Sequence, residues 1–414
     1  MIHPLLSVAK ASQTLWRACP DWGVETLPLQ AAAGRVLAEA VHAERDAPPF
    51  PRVAMDGVAV AWAAWEAGRR RFQVEGVQAA GDPPTRLADP LAAWEVMTGA
   101  VLPAGCDLVI PVEELQRLGN GVEVRTADDT RPARGPRRGQ HVHARGSDAR
   151  AGDELLPVGL RLDSPALAVA ASVGAVSLTV RRRPRVVLLA TGSELVPADQ
   201  EPAAWQIRAS NLEALGAALR AAGHEARLAQ LVDDDPARLA RALEQALAEH
   251  ELLILSGGVS MGRFDHVPEQ LLAAGGRILL HGVAQRPGKP LLALEFPGRP
   301  GRLALGLPGN PVSALICLHR YVLPLLAAAE GRLDEVRRVR LADSCPLPGA
   351  LSLFLPVSLA ADAEGLPVAR PRPTAGSGDF IRLARSSGFV ELDPALARDG
   401  ALPAGWPVPF YSWR

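Results

Sequence analysis

From residue 185 to about 329 the chain alternates apolar runs with helix-periodic stretches, and this alternation constrains the fold more than any other feature. RVVLLA (185–190) is a β-branched, apolar run of the kind that forms a buried strand. NLEALGAALRAAG (211–223) has helical periodicity and a glycine stop, and EARLAQLV (225–232) reads as a strand. DDDPARLARALEQALAEH then opens a helix, with Asp235 as N-cap and Pro236 at the first helical position. ELLILS (251–256) is the next strand, followed by a helix around 266–275 and by strand-like RILLHGV, KPLLALEF and RLALGL. NPVSALICLHRYVLPLLAAAE (310–330) closes the series, with Asn310 as cap and Pro311 behind it. This spacing predicts an open, mostly parallel α/β sheet, on which ligands bind beyond the carboxyl ends of the strands.

The flanks differ. Residues 1–180 hold helix-like pieces near 7–19, capped by Ser7, and near 29–43, then short alternating strands and many turns. RRRP (181–184) marks a boundary and reads as a solvated, charged linker. Residues 331–414 carry short β-like runs (VRRVRLA, LSLFLPVSLA, GFVEL, WPVPFYSW) between Gly/Pro turns, which predicts a small barrel or sandwich. A chain of 414 residues is too long for one core, so several domains are expected.

The formal net charge of -1 gives no general case for nucleic acid or an anionic membrane surface, so any anion site must be local. Four cysteines, Cys19, Cys106, Cys317 and Cys345, lie far apart without metal spacing and read as reduced thiols of a cytoplasmic protein. The N-terminal stretch lacks the pattern of a signal peptide, and no uninterrupted apolar run has the length of a membrane span.

Four loops fall at strand ends of the α/β segment: TGSEL (191–195), DDDP (233–236), SGGVSMGRFD (256–265) and LPGNP (307–311). Taken singly, each is an ordinary turn or helix cap. On one edge of a parallel sheet, their glycines and helix starts also suit an anionic ligand. Glu194, Asp234 and Asp265 form a set able to hold Mg²⁺, which takes carboxylate and phosphate oxygens. RPGKP (286–290) sets Arg286 and Lys289 around a Pro-Gly turn, either a solvated turn or a clamp on a tetrahedral oxyanion. AGSGDF (375–380) offers a serine from another domain. There is no P-loop motif, and TGSEL replaces the glycine pattern of a dinucleotide fold. In AMDGVAV (54–60), Asp-Gly is an ordinary hairpin signal, and Asp56, Thr98 and Asp148 read as polar turn residues.

Taken in order, PPFPRVAMDGVAV, MTGAVLPAGCDLVIPVEE, GSDARAGDELL, TGSEL, SN (210–211), DDDP, SGGVSMGRFD, RPGKP, LPGNPVSA and AGSGDF resemble the MoeA family of molybdopterin molybdenumtransferases, which includes the E domain of gephyrin. The resemblance is collinear over nearly the whole chain. It implies the last step of molybdenum-cofactor synthesis, in which adenylylated molybdopterin and molybdate give the cofactor and AMP with Mg²⁺. The implied fold is multidomain α/β: an elongated N-terminal dimerisation domain (1–50 and 138–180), an inserted mostly β domain (51–137), a three-layer molybdopterin-binding α/β domain (181–330) and a C-terminal β-barrel-like domain (331–414). It also implies a homodimer with a shared cleft, and the molybdopterin adenylyltransferase and downstream molybdoenzymes or their chaperones as partners.

Carried over, the resemblance makes Asp56, Glu194, Asp234 and Asp265 the catalytic acids, with Asp234 and Asp265 on Mg²⁺. Thr98, Asp148, Thr191, Gly192, Ser210, Asn211, Gly257, Gly258, Ser260, Pro308 and Asn310 would bind substrate. Arg286, Lys289 and Ser313 match the oxyanion region, and Ser377 is the serine from the last domain. The family usually has Asn-Ser before Ala-Met-Asp-Gly and Tyr after it, where this chain has Arg52, Val53 and Val58. Phe354-Leu355-Pro356 stands where members often have F-x-R, and Arg286 replaces the commoner Lys. These departures leave open a diverged paralogue that binds molybdopterin without inserting metal.

Overall fold

Alternate residues of the first apolar run face opposite ways: Val186, Leu188 and Ala190 enter one core, Val187 and Leu189 the other. That is the signature of a strand covered on both faces, and the computed structural model shows it inside a six-stranded sheet, next to an edge strand. The structure describes residues 5–125, 136–230, 235–259, 265–332, 335–372, 374, 376 and 378–414. By packing, the chain forms two compact units, one of residues 1–25, 34–36 and 179–414, the other of residues 26–33 and 37–178.

In the first unit the sheet is built from β1 (Val186–Ala190), β2 (Ala226–Gln230), β3 (Leu252–Ser256), β4 (Arg277–His281), β5 (Leu292–Glu295) and β6 (Leu303–Leu307), in the order β2-β1-β3-β6-β5-β4. β2, β1, β3 and β6 are parallel, and β5 and β4 extend the sheet antiparallel. One face is covered by α1 (Ser210–Ala221) through Leu212, Leu215 and Leu219 and by α4 (Pro311–Cys317) through Val312 and Ile316. The other is covered by α2 (Pro236–Glu249) and α3 (Val267–Ala273). Asp235 caps α2 as expected, accepting from the N–H groups of Ala237 and Arg238. Asn310 occupies the cap position of α4, but its side chain makes no capping bond.

The helix of α4 continues through a π-helical stretch (Leu318–Val322) into Leu323–Ala329. This run, Pro311–Ala329, is long and apolar enough to cross a membrane by length and composition, yet it is largely buried in the sheet's core. In the last domain Ser352–Ala361 pairs with both Pro367–Pro371 and Gly388–Leu392, which closes a sheet into the expected barrel-like form.

Three expectations are corrected. Residues 29–43 are not helical: a short turn of 3₁₀-helix (Leu29–Ala31) gives way to turns and a two-residue strand (Val41–His42). Non-local pairing wins there, for the strand pairs with Glu154 and Leu156, and Leu37 donates to the Leu160 carbonyl. RRRP is not a solvated linker either. Arg182 Nε donates to the Trp22 carbonyl at 2.7 Å, and Arg183 Nε donates to Glu330 Oε1 at 2.8 Å. The guanidiniums span gaps that a bulk-solvated charge would leave open.

The second unit holds a six-stranded sheet of Leu108–Pro111, Gly57–Val60, Ala93–Val96, Arg71–Gln78, Gly121–Val124 and Leu115–Leu118, in that order. Asp56-Gly57 does not turn a hairpin here. Gly57 begins a central strand and lies so close to Ile110 that a Cβ would sit 2.9 Å from its carbonyl carbon.

Candidate functional site

The carboxyl edge of the parallel strands is tied together by backbone bonds beyond the strand ends. Thr191 N–H donates to the Ser256 carbonyl at 3.1 Å, and Gly257 N–H donates to the Leu307 carbonyl at 3.2 Å. The loops after β1, β3 and β6 are therefore continuations of the ladder rather than free turns. Gly257 has φ +95°, and a Cβ there would lie 2.6 Å from the Thr191 carbonyl oxygen, so only glycine fits. Leu195–Val196 pairs in parallel with Ile207–Arg208, which folds the segment before α1 over the same edge.

These loops enclose a cavity of about 970 Å³. Its wall includes Thr191, Gly192, Glu194, Ser210, Asn211, Gly257, Gly258, Asp265, Pro308 and Asn310. Ten residues expected to bind or act are thus brought together. Asn211 Nδ2 donates to Ser256 Oγ and to the Gly309 carbonyl, each at 2.8 Å, so its amide group braces two loops. Thr191 Oγ1 is buried with no hydrogen-bond partner among the described residues. The exposed Glu194 carboxylate lies against Gly192.

A second cavity of about 1020 Å³ is lined by Arg286, Lys289 and Ser313 and by apolar residues of the last domain, among them Leu353, Phe354 and Pro356. Pro290, Pro308 and Asn310 line both cavities. Two carboxylates therefore stand in one compartment and two cations in its neighbour, with a proline-rich wall in common.

Asp234, Ser260 and Ser377 lie outside the described residues. Among the described residues no three His, Cys, Asp or Glu side chains gather closely enough to hold a metal ion. Glu194 and Asp265, both on the wall of the first cavity, suit Mg²⁺ held by one or two carboxylates with water and ligand oxygens.

In the second unit Asp56 and Thr98 meet directly. Thr98 N–H and Oγ1–H both donate to Asp56 Oδ1 at 2.7 Å. The backbone N–H, then the hydroxyl, hold the exposed carboxyl below its ordinary range. Asp148 is exposed on a loop whose backbone bonds to Ala47 and whose turn is pinned by Asp46 through Arg145 Nε and Ala151 N–H.

Sequence reasoning missed Arg208 and Phe380, which both line the first cavity. Phe380 ends the AGSGDF stretch, of which only the serine was assigned a role, while Arg208 carries no periodic or motif signal; the two-residue ladder with Leu195–Val196 is what places Arg208 there.

Fold and site together define a multidomain α/β protein with a glycine-lined cavity at the carboxyl edge of its sheet. The family models described as MoeA N-terminal region (domain I and II), probable molybdopterin binding domain and MoeA C-terminal region (domain IV) match residues 6–174, 187–328 and 338–413. A molybdopterin molybdenumtransferase of Synechocystis sp. is 39% identical, over 99% of this chain and 100% of its own. One from Nostoc sp. is 32% identical over 94% and 90%. The crystal structure of a molybdopterin biosynthesis MoeA protein from Pyrococcus horikoshii superposes with a TM-score of 0.79 at 29% identity, covering 99% of this chain and 100% of that one. The chain belongs to the MoeA family.

Proposed function

We propose that the chain is a molybdopterin molybdenumtransferase that consumes adenylylated molybdopterin and molybdate and releases AMP. The observation that carries this reading is the shared wall of the two cavities, at Pro290, Pro308 and Asn310. A nucleotide-bearing pterin has phosphates for the glycine-lined compartment, and molybdate, a tetrahedral dianion, suits Arg286, Lys289 and Ser313 beside it. Both reactants then lie within reach of each other, which is what transfer between them needs.

In this reading Gly257 and Gly258 admit the pyrophosphate, Thr191 Oγ1 donates to it, and Glu194 positions the ligand. Mg²⁺ held by Asp265 with Asp234 would neutralise charge on the phosphate oxygens when bound. The reading includes a homodimer, a cytoplasmic setting, and exchange with the molybdopterin adenylyltransferase and with molybdoenzymes or their chaperones.

Two of the departures from the family pattern, Val53 and Val58, are packing positions. Both are buried in the cores of the β domain, whereas Pro356, in the place of the family's Arg, is a buried residue on the wall of the second cavity. Arg52 pairs in a two-residue ladder with His143. Retention of Glu194 and Asp265 in one cavity and of Arg286, Lys289 and Ser313 in the other favours the catalytic reading over a binding-only paralogue. The test is to mix purified protein with adenylylated molybdopterin, molybdate and Mg²⁺ and to follow AMP. Molybdate-dependent AMP release is expected; tight binding without it would establish the binding-only alternative.

A further inference from the structure

We infer that Gln285, held by Tyr321, is a positioning residue that sets the Arg286–Lys289 turn for its oxyanion. The inference rests on the reading of that turn as the molybdate site.

The turn presents two exposed cations over a buried floor: Arg286 and Lys289 face solvent, while Gln285 and Gly288 are buried. A buried glutamine costs stability unless its amide is used. Gln285 Nε2 donates to the carbonyls of Pro287 at 3.2 Å and Gly288 at 3.1 Å, with the Cys317 sulfur at 3.6 Å. One amide thus holds both central carbonyls of the turn. Gly288 is at φ +92°, and a Cβ there would lie 2.6 Å from Gln285 Nε2 and 2.8 Å from Cys317 Sγ. The glycine is what lets the turn settle onto the amide.

The amide can face either way unless its oxygen is also claimed. Tyr321 O–H donates to Gln285 Oε1, which turns the nitrogen toward the carbonyls. Burial pushes the Tyr321 hydroxyl upward, so it stays a donor, and pushes the Cys317 thiol up to about 12, so it stays neutral. Cys317 and Tyr321 stand four residues apart in the helical run after Pro311, so one helix supplies the floor and its orienting hydroxyl. Val283 N–H donates to the Lys289 carbonyl at 2.9 Å, closing the turn on the same residues. Gln285–Arg286 also pairs with Ser352–Leu353 of the last domain. The spacing of the two cations is therefore fixed from below by a group that need not touch the oxyanion.

The test uses the full chain and the AMP-release assay, with molybdate varied at saturating adenylylated molybdopterin. Gln285→Glu keeps the shape but replaces two N–H donors by a carboxyl that can donate at most one bond. It should raise the molybdate KM about ten-fold and leave the KM for adenylylated molybdopterin within about two-fold. Tyr321→Phe, which removes only the orienting hydroxyl and covers the case in which the glutamate variant does not fold, should raise the molybdate KM about three-fold. An unchanged molybdate KM in Tyr321→Phe, or equal changes in both KM values, would overturn the inference. Lys289→Ala separates the two levels. If it leaves the molybdate KM unchanged, the oxyanion reading of the turn fails; if it raises that KM while the other variants do not, only the role of Gln285 fails.

Discussion

Asn211 and Ser256 join the start of one helix to the end of a central strand, through Nδ2 and Oγ at 2.8 Å. The same Nδ2 reaches the Gly309 carbonyl of the turn before the last helix, so three loops of the cavity share one amide. The sequence resemblance places Asn211 on the substrate; the geometry also makes it a brace. Asn211→Asp is nearly isosteric but sets a carboxylate oxygen against the Gly309 carbonyl. It should lower stability by about 1–3 kcal/mol by chemical denaturation and cut turnover more than Asn211→Ala does. Equal turnover in the two variants would remove the brace from the account.

Thr98 should control the ionisation of Asp56. Two donors on one oxygen favour the charged form, so the Asp56 carboxyl titrates below the ordinary value of about 3.9 in the folded protein. Because the folded value is depressed, the contribution to stability is present above the unfolded value and is lost as pH falls through the folded one. Thr98→Val removes the hydroxyl donor and keeps the backbone one. Carboxyl titration by NMR should show Asp56 moving upward toward the ordinary range without reaching it. No movement would mean that the backbone N–H alone sets the shift.

The buried group around Glu330 predicts acid sensitivity. His224 lies 3.6 Å from Glu330 Oε1, with Arg183 and Arg332 bonded to the same carboxylate. Burial, then the positive charges of Arg183, Arg332 and Arg35, push the His224 imidazole from 6.5 down to about 3. Between those values the unfolded chain binds more protons than the folded one, so stability falls as pH drops from about 6.5 toward 3. In His224→Gln the urea midpoint should change less over that interval than in the unmodified protein. Glu330→Gln, which leaves the buried guanidiniums without a counter-charge, should cost about 3–5 kcal/mol at neutral pH. A loss below about 1 kcal/mol would show that water already screens the cluster.

What could be read in advance follows from how local each determinant is. The apolar alternation from RVVLLA onward gave the sheet and both helical layers, because strand and helix periods are written within a few residues. Asp235-Pro236 gave a true cap for the same reason. Residues 29–43 misled because their helical pattern competes with a ladder to residues 154–156, more than a hundred positions away. RRRP misled because charge alone reads as solvated, whereas Glu330 and the Trp22 carbonyl come from distant elements. Arg208 and Gln285 were invisible: one is an exposed arginine in a two-residue strand, the other a lone glutamine just ahead of the RPGKP turn. Only tertiary contacts make the first line a cavity and the second hold a turn.

Thr191 gives the sharpest test of the first cavity. Its Oγ1 is buried without a partner among the described residues, a state that costs free energy in the ligand-free protein. A threonine kept there for packing alone would serve better as valine, which has the same shape and no unsatisfied oxygen. Thr191→Val should therefore leave the ligand-free protein as stable as before or more stable by up to about 1 kcal/mol. A hydroxyl that waits for a phosphate oxygen makes the opposite prediction for binding: affinity for adenylylated molybdopterin should fall about five- to ten-fold, the worth of one hydrogen bond. The two effects have different signs, so calorimetric unfolding and titration with the nucleotide ligand separate them. Loss of stability with unchanged affinity would place the hydroxyl in the scaffold; gain of stability with lost affinity would place it on the ligand.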